Sequence, residues 1–163
     1  MTWLDLVAVV LLVLVSVLEA RRGAVPAAAE LAAGLIGLGF AKTLATTMVG
    51  TFETEATAFL VLFALAVGLA ALAGGLTDTY TKWDIGPYDK VVASIIGMIT
   101  GLALANGAFH AALLAEGGLK ATAEASLLYG QVYQLDLLHA IGDMLRNLGG
   151  GQTFVDKVRE QHK

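Results

Sequence analysis

The chain has 163 residues, of which 57% are hydrophobic and 15% are charged, and its formal net charge is −4. Soluble domains carry about 25% charged residues, so this composition favours an integral membrane protein over an ordinary water-soluble domain. Cysteine is absent, which excludes disulfides, thiolate metal ligands and a cysteine nucleophile, and the scattered charges offer no basic patch for nucleic acid.

The first apolar segment, Trp3 to Ala20, is predicted to be a membrane helix. Its uncharged core between Asp5 and Glu19 is short, so we expect both carboxylates in the membrane interfaces, with Trp3 as a headgroup anchor. A cleaved signal peptide is the alternative. The absence of a positively charged start and a poor cleavage pattern disfavour it.

The second segment is predicted to span the membrane from Ala24 to Ala41, after a basic turn formed by Arg21-Arg22-Gly23. Small residues are frequent in it, which suits close helix packing in lipid. Glu30 is its one interior charge, and Lys42 stands at its far end. The polar and acidic stretch 43–55 that follows is predicted to be a loop.

The third segment, Ala56 to Leu76, contains twenty-one residues without a charge. A helix of that length spans roughly 30 Å, the thickness of the hydrocarbon core. The stretch 77–90 then breaks the apolar pattern, and its Gly86-Pro87 pair indicates a turn. The fourth predicted span runs from Val91 to Ala115.

Beyond the fourth span, apolar residues recur at intervals of three or four and predict one apolar helical face. Interspersed charges exclude another span, so this helix is expected to lie on the membrane or against the bundle. We therefore predict an all-α membrane protein with four transmembrane helices in residues 1–116, an amphipathic helical region in 117–148 and a polar tail in 149–163. The periodic residues are Leu128, Val132, Leu135, Leu138, Ile141, Leu145 and Leu148.

Lysine and arginine near the helix ends predict the orientation. The first and third loops carry four such residues and the opposite side carries two, so both termini are predicted to be non-cytoplasmic. The four are Arg21, Arg22, Lys82 and Lys90, and the two are Lys42 and Lys120.

Several short motifs resemble, in their order and spacing, the colicin V production protein family of small bacterial inner-membrane proteins with about four spans. The likeness covers roughly residues 1–115 and extends loosely to Ser126. Where members often continue the Arg-Gly turn with a basic and an acidic residue, this chain has Pro26 and Ala27. The motifs are Trp3-Leu4-Asp5, Arg22-Gly23, Gly86-Pro87-Tyr88-Asp89-Lys90 and Gly97-Met98-Ile99-Thr100-Gly101.

The resemblance implies a non-enzymatic role in producing or exporting a peptide toxin and in maintaining the cell envelope. Two alternatives stay open from the residues: a small channel or transporter, and a structural subunit of a larger membrane complex. The expected partners are the lipid bilayer and either further copies of the chain or another membrane protein. No sequence motif for catalysis, metal or phosphate binding is present, so neither an enzyme activity nor a cofactor is predicted.

Three sets of residues are candidates for a functional or assembly role. Gly97 and Gly101 share a helix face and predict close helix packing, within the chain or between copies. Arg22 and Asp89 are predicted to form an ion pair between the first and third loops; the alternative is that the arginines only set the orientation and Asp89 caps the fourth helix.

The third set is the intramembrane polar groups Glu30, Asn106 and His110. Polar groups at membrane depth are costly, which makes them functional candidates. Asn106 and His110 are four residues apart and share a face, so with Glu30 they are candidates for a polar or proton-carrying path. The alternative is that they form hydrogen bonds between helices or reach the interface.

Overall fold

The structure is a computed structural model that describes residues 1–81, 85–115 and 117–134. It contains four long helices, α1 (Trp3–Arg22), α2 (Ala24–Thr47), α3 (Glu55–Tyr80) and α4 (Asp89–Leu114), followed by a short helix α5 (Gly118–Glu124) and a π-helical turn (Tyr129–Tyr133). The long helices have 20 to 26 residues, or about 30 to 39 Å, and each is apolar enough to cross a bilayer. The predicted fold class is confirmed: the chain is an all-α, multi-pass membrane protein.

The helices α2 and α3 extend further than predicted because threonine hydroxyls are satisfied inside them. Near the end of α2, three threonines between residues 43 and 47 donate to carbonyls of the preceding turn. Thr77 and Thr79 do the same near the end of α3. The connection between α2 and α3 is therefore 48–54 rather than 43–55. Lys42, expected at a helix end, lies within α2.

The first turn is also tighter than expected. Both arginines belong to α1, so Gly23 alone separates α1 from α2. Its φ of +104° lies in the region that favours glycine. A Cβ at this position would also lie 2.6 Å from Oδ2 of Asp89, so the close approach of α4 requires glycine as well.

The four helices pack as two antiparallel pairs. α1 packs chiefly on α4 and α2 chiefly on α3, while contacts between α2 and α4 join the pairs. Small side chains dominate these seams, as expected where apolar lipid supplies no hydrophobic force between helices. For example, a Cβ on Gly37 of α2 would lie 2.6 Å from the Cβ of Ala66 on α3.

The outer faces of the helices are apolar and exposed, which fits contact with acyl chains. On α1 this surface is a broad band of valine and leucine side chains, formed by Leu6, Val9, Val10, Val13, Leu14, Val17 and Leu18. In water such a band would be an exposed hydrophobic patch. In a bilayer it is the expected exterior.

The segment after α4 is only partly the amphipathic helix that the sequence predicts. α5 is seven residues long and is followed by a turn and then by the π-helical turn. Ala123 and Val132 are buried against α1 and α4, so this segment docks on the bundle. The remainder of the predicted helix, up to residue 148, and the predicted polar tail lie outside the described residues.

Candidate functional site

At one end of the bundle, Arg22 forms ion pairs with two glutamates. Its Nη1 lies 2.9 Å from Oε2 of Glu30 and 3.4 Å from Oε1 of Glu19. Glu19 is only 1% exposed, and its Oε2 has no hydrogen-bond partner among the described residues. A buried carboxylate is costly unless it is paired. The guanidinium of Arg22 therefore offsets the charge of a glutamate that α1 holds inside the protein.

The predicted ion pair between Arg22 and Asp89 is not formed in the part of the chain that the structure describes. Oδ1 of Asp89 accepts hydrogen bonds from the amides of Ala24, at 3.2 Å, and Ile85, at 3.4 Å. Asp89 is the first residue of α4, and the capping position is Tyr88. The first and third loops do meet, but through a carboxylate and a backbone amide, because Arg22 is turned toward Glu19 and Glu30.

The structure places Gly97 and Gly101 in the seam between α4 and α1 of the same chain. A Cβ on Gly97 would lie 2.8 Å from Cα of Ser16, and one on Gly101 would lie 2.8 Å from Cα of Leu12. This close approach brings the hydroxyls of Ser16 and Ser94 within 2.7 Å, and Ser16 is also 3.0 Å from the carbonyl oxygen of Ser94. The glycine face is thus covered by α1.

At the other end of the bundle, Asp5 joins the start of α1 to the segment after α4. The Ser126 hydroxyl and the Leu128 amide, the latter at 3.0 Å, donate to Oδ1 of Asp5, and the Thr2 amide donates to its Oδ2. Asp5 is 1% exposed. The Thr2 hydroxyl, at 3.3 Å, donates to Oδ2 as well, so four donors stabilise the charge of this buried carboxylate.

Asp5 and Glu19, expected at the depth of the membrane interfaces, have side chains that are buried in protein rather than exposed to headgroups or water. The spacing of the polar residues of α1 could have predicted this burial. Asp5, Ser16 and Glu19 are separated by 11 and 3 residues, or about three turns and then one, so they share a face of α1. That face packs on α4.

A second polar cluster, the Lys42–Asn106 cluster, is centred on Asn106. Its Oδ1 accepts a hydrogen bond of 2.6 Å from Nζ of Lys42, and its Nδ2 donates to the carbonyls of Val132, at 2.9 Å, and Tyr133, at 3.1 Å. Asn106 thereby links α2, α4 and the π-helical turn. These contacts could not be predicted from the sequence, because Val132 and Tyr133 accept through backbone carbonyls, which every residue has.

His110 extends this cluster through aromatic contacts. Its Nδ1 and the Tyr133 hydroxyl are 3.1 Å apart and share a hydrogen bond. The ring of Phe59 packs edge-on against it at 4.7 Å between centroids. Burial, with a smaller contribution from Tyr129, raises the pKa of the Tyr133 phenol. The hydroxyl therefore stays protonated at neutral pH.

The three candidates for an intramembrane path do not come together. Glu30 lies with Arg22 at one end, whereas Asn106 and His110 lie at the other. Glu30 and Lys42 are twelve residues apart on α2, or roughly 18 Å. The cavity of about 30 Å³ beside Glu30 has mostly apolar walls, including Leu31 and Leu35. The candidates for a path are thus divided between two polar clusters, one with Glu30 and one with Asn106 and His110.

Within the described residues no group of three or more His, Cys, Asp or Glu side chains is arranged to hold a metal ion. The polar groups instead connect elements: Arg22 of α1 with Glu30 of α2, Asp5 of α1 with Ser126, and Lys42 of α2 with Asn106 of α4. No protein-family model, no curated protein and no solved structure matches this chain.

Proposed function

We propose that the chain is a non-enzymatic protein of the bacterial inner membrane that supports the production or export of a peptide toxin and the maintenance of the cell envelope. This is the role that the resemblance to colicin V production proteins implies. The multi-pass helical architecture is consistent with it.

The observation that supports the proposal most is that residues carrying the resemblance contact one another. Asp5, in the first motif, accepts a hydrogen bond from Ser126, at the far limit of the likeness. Gly23, in the second motif, lies against Asp89 of the third. These motifs are remote in sequence, so their contacts are what a shared architecture would produce.

The polar clusters support a structural role over chemistry. The carboxylate of Asp5 accepts hydrogen bonds from Ser126 and the Leu128 amide, and the amide of Asn106 both accepts and donates, so each joins separate elements. Groups held in this way have their hydrogen-bonding capacity occupied. We therefore favour a protein that presents a fixed surface to lipid and to partners within the membrane.

The alternatives have less support. A channel needs a continuous polar path, and the described part of one copy separates its polar clusters by roughly 18 Å along α2. A subunit that docks through the tail would use residues beyond 134, outside the described part of the chain. The exposed apolar faces of the four long helices do not favour a protein partner, because they are equally suited to contact with lipid.

The proposal is tested by deleting the gene in a bacterium that secretes a peptide toxin and measuring toxin in the medium against toxin in the cell. Deletion is expected to lower the secreted fraction, and the full chain should restore it. Asp5→Ala should restore it poorly, because Ser126 and the Leu128 amide lose their acceptor. Glu124→Gln, an exposed change in α5, is the matched control.

Normal secretion after deletion would contradict the proposed role. Ion flux through proteoliposomes containing only the purified chain would favour the channel in its place. If Asp5→Ala also lowers the amount of protein in the membrane, secretion is compared at matched expression. The deletion result does not depend on that variant.

A further inference from the structure

A lateral groove lies between α2 and α4, next to the Lys42–Asn106 cluster. Its volume is about 260 Å³, and apolar side chains, among them Leu35, Leu38 and Ile99, form its walls. Leu35 is 50% exposed and Ile99 is 43% exposed, so the groove opens sideways toward the membrane. Lys42 and Asn106 form its polar end.

The ammonium group at this end carries an uncompensated positive charge. Nζ of Lys42 donates one hydrogen bond, to Asn106, and lies 5.7 Å from the centroid of the Tyr133 ring. An ammonium has three donors. Both ion pairs found among the described residues belong to Arg22, so no carboxylate there neutralises Lys42. A half-buried cation of this kind attracts an anion.

The surroundings fix Asn106 in the orientation that faces Lys42. Both N–H groups of its amide are used by the carbonyls of Val132 and Tyr133. The amide oxygen must therefore point toward Lys42, and it holds the ammonium at the mouth of the groove. The polar end is built by contacts from three elements.

By helix length, Lys42 lies within about one helical turn of the boundary between headgroups and acyl chains. Lys42 precedes the end of α2 at Thr47 by five residues, or about 7.5 Å. α2 has 24 residues, or roughly 36 Å, against a hydrocarbon core of about 30 Å. A lysine at this depth keeps its stem among apolar groups and places its ammonium within reach of a headgroup phosphate.

A second cavity adjoins the groove. A neighbouring cavity of about 350 Å³ on the outer face of α2 shares Leu35 and Gly39 with it. A Cβ on Gly39 would meet no protein atom within 4 Å. The two cavities share lining residues and therefore adjoin, and we call the mostly apolar surface that they form beside Lys42 the apolar track.

We propose that this groove binds an anionic phospholipid, with its headgroup phosphate at Lys42 and one acyl chain along the apolar track past Gly39. The occupant combines a negative charge with a long apolar chain, as the two ends of the groove require. A soluble anion would leave the apolar walls unfilled, and a zwitterionic lipid such as phosphatidylcholine would bring a second cation close to the ammonium. The inference does not rest on the proposed role in toxin export.

The test uses the purified full chain in detergent, titrated with phosphatidylglycerol or with phosphatidylcholine of the same acyl chains. Lipid retention is read by native mass spectrometry and stabilisation by thermal unfolding. The wild type should retain phosphatidylglycerol preferentially. Lys42→Gln should weaken its binding roughly fivefold or more, since one basic residue near a membrane surface contributes about 1 kcal/mol.

Gly39→Leu is the second variant, and it should displace the acyl chain with little strain because the site is open. Two matched controls should bind like the wild type. Lys120→Gln removes an exposed lysine in α5, and Gly68→Leu adds the same side chain to an open face of α3.

Equal retention of the two lipids, or unchanged phosphatidylglycerol binding in Lys42→Gln and Gly39→Leu, would overturn the proposal. Equal stabilisation by inorganic phosphate alone would overturn it as well, since the site would then recognise a free anion. If Lys42→Gln fails to fold, Gly39→Leu decides the question, because it leaves the ammonium and its hydrogen bond in place.

Discussion

The two carboxylates near the ends of α1 show how burial of charge is managed at the level of single residues. Asp5 is held by hydrogen bonds from hydroxyl and amide donors. Glu19 relies on Arg22, and one of its oxygens has no partner among the described residues. The charge of Glu19 is therefore balanced by one neighbour, whereas that of Asp5 is stabilised by several donors. Removal of Arg22 should lower the stability of the folded protein.

Arg22→Gln is expected to destabilise the protein by about 1–3 kcal/mol, because it leaves a buried carboxylate without its cation. Partial exposure of Arg22 and protonation of Glu19 keep the loss below that of a fully buried pair. Thermal unfolding in detergent measures the change. Arg21→Gln is the matched control, since Arg21 is exposed and forms no ion pair among the described residues.

The double variant Arg22→Gln with Glu19→Gln should recover much of the loss, because the buried charge is then gone. If Arg22→Gln melts at the same temperature as Arg21→Gln, Glu19 does not depend on this ion pair. Recovery is measured against Glu19→Gln alone, so that the coupling between the two residues is isolated.

At the level of helices, the sequence predicts the spans well and their partners poorly. Each span is a long, predominantly apolar run, which is sufficient to predict a membrane helix. The threonines that extend α2 and α3 read as loop residues because their hydroxyls are polar, yet they bond to the helix backbone. The spacing of Gly97 and Gly101 identifies a packing face, but spacing cannot say that α1, rather than a second copy, covers it.

Gly97→Ala is expected to destabilise the α1–α4 pair by about 1–3 kcal/mol, the usual cost of overpacking. The added methyl would lie 2.8 Å from Cα of Ser16 and 2.9 Å from the carbonyl oxygen of Val15, so the backbones must separate. The measurement is thermal unfolding followed by circular dichroism. Gly68→Ala is the control, because a methyl group there meets no protein atom within 4 Å.

The hydrogen bonds between Ser16 and Ser94 provide a second readout for the same seam. Separation of the helices should weaken them, so Ser16→Ala should cost less stability in the Gly97→Ala background than in the wild type. Equal stability of Gly97→Ala and Gly68→Ala would contradict the packing of α1 on this face.

At the level of the whole molecule, the arrangement of two helix pairs joined through α2 and α4 was beyond sequence reasoning. The spans are apolar on nearly every side, so no hydrophobic stripe distinguishes the face toward protein from the face toward lipid. The few polar residues are the useful markers. Lys42 illustrates the difficulty, since it reads as a helix end and instead contacts Asn106.

Four spans place the N-terminus and the segment after α4 on the same side of the membrane, and we propose that this side is non-cytoplasmic. The excess of lysine and arginine in the first and third loops supports that orientation. Alkaline phosphatase fused after Lys163 is expected to be active, and a fluorescent protein that folds only in the cytoplasm is expected to be dark. A bright fluorescent fusion with inactive phosphatase would reverse the orientation.

The one-residue link at Gly23 has a consequence for how the chain is made. Because only Gly23 separates α1 from α2, we expect the two helices to enter the lipid together, as a hairpin. Their lasting neighbours differ, however: α2 packs on the next helix synthesised, whereas α1 packs on α4, the last of the four. Until α4 is translated, the nascent α1 carries Ser16 without its partner Ser94, and Asp5 still lacks Ser126, which lies beyond α4.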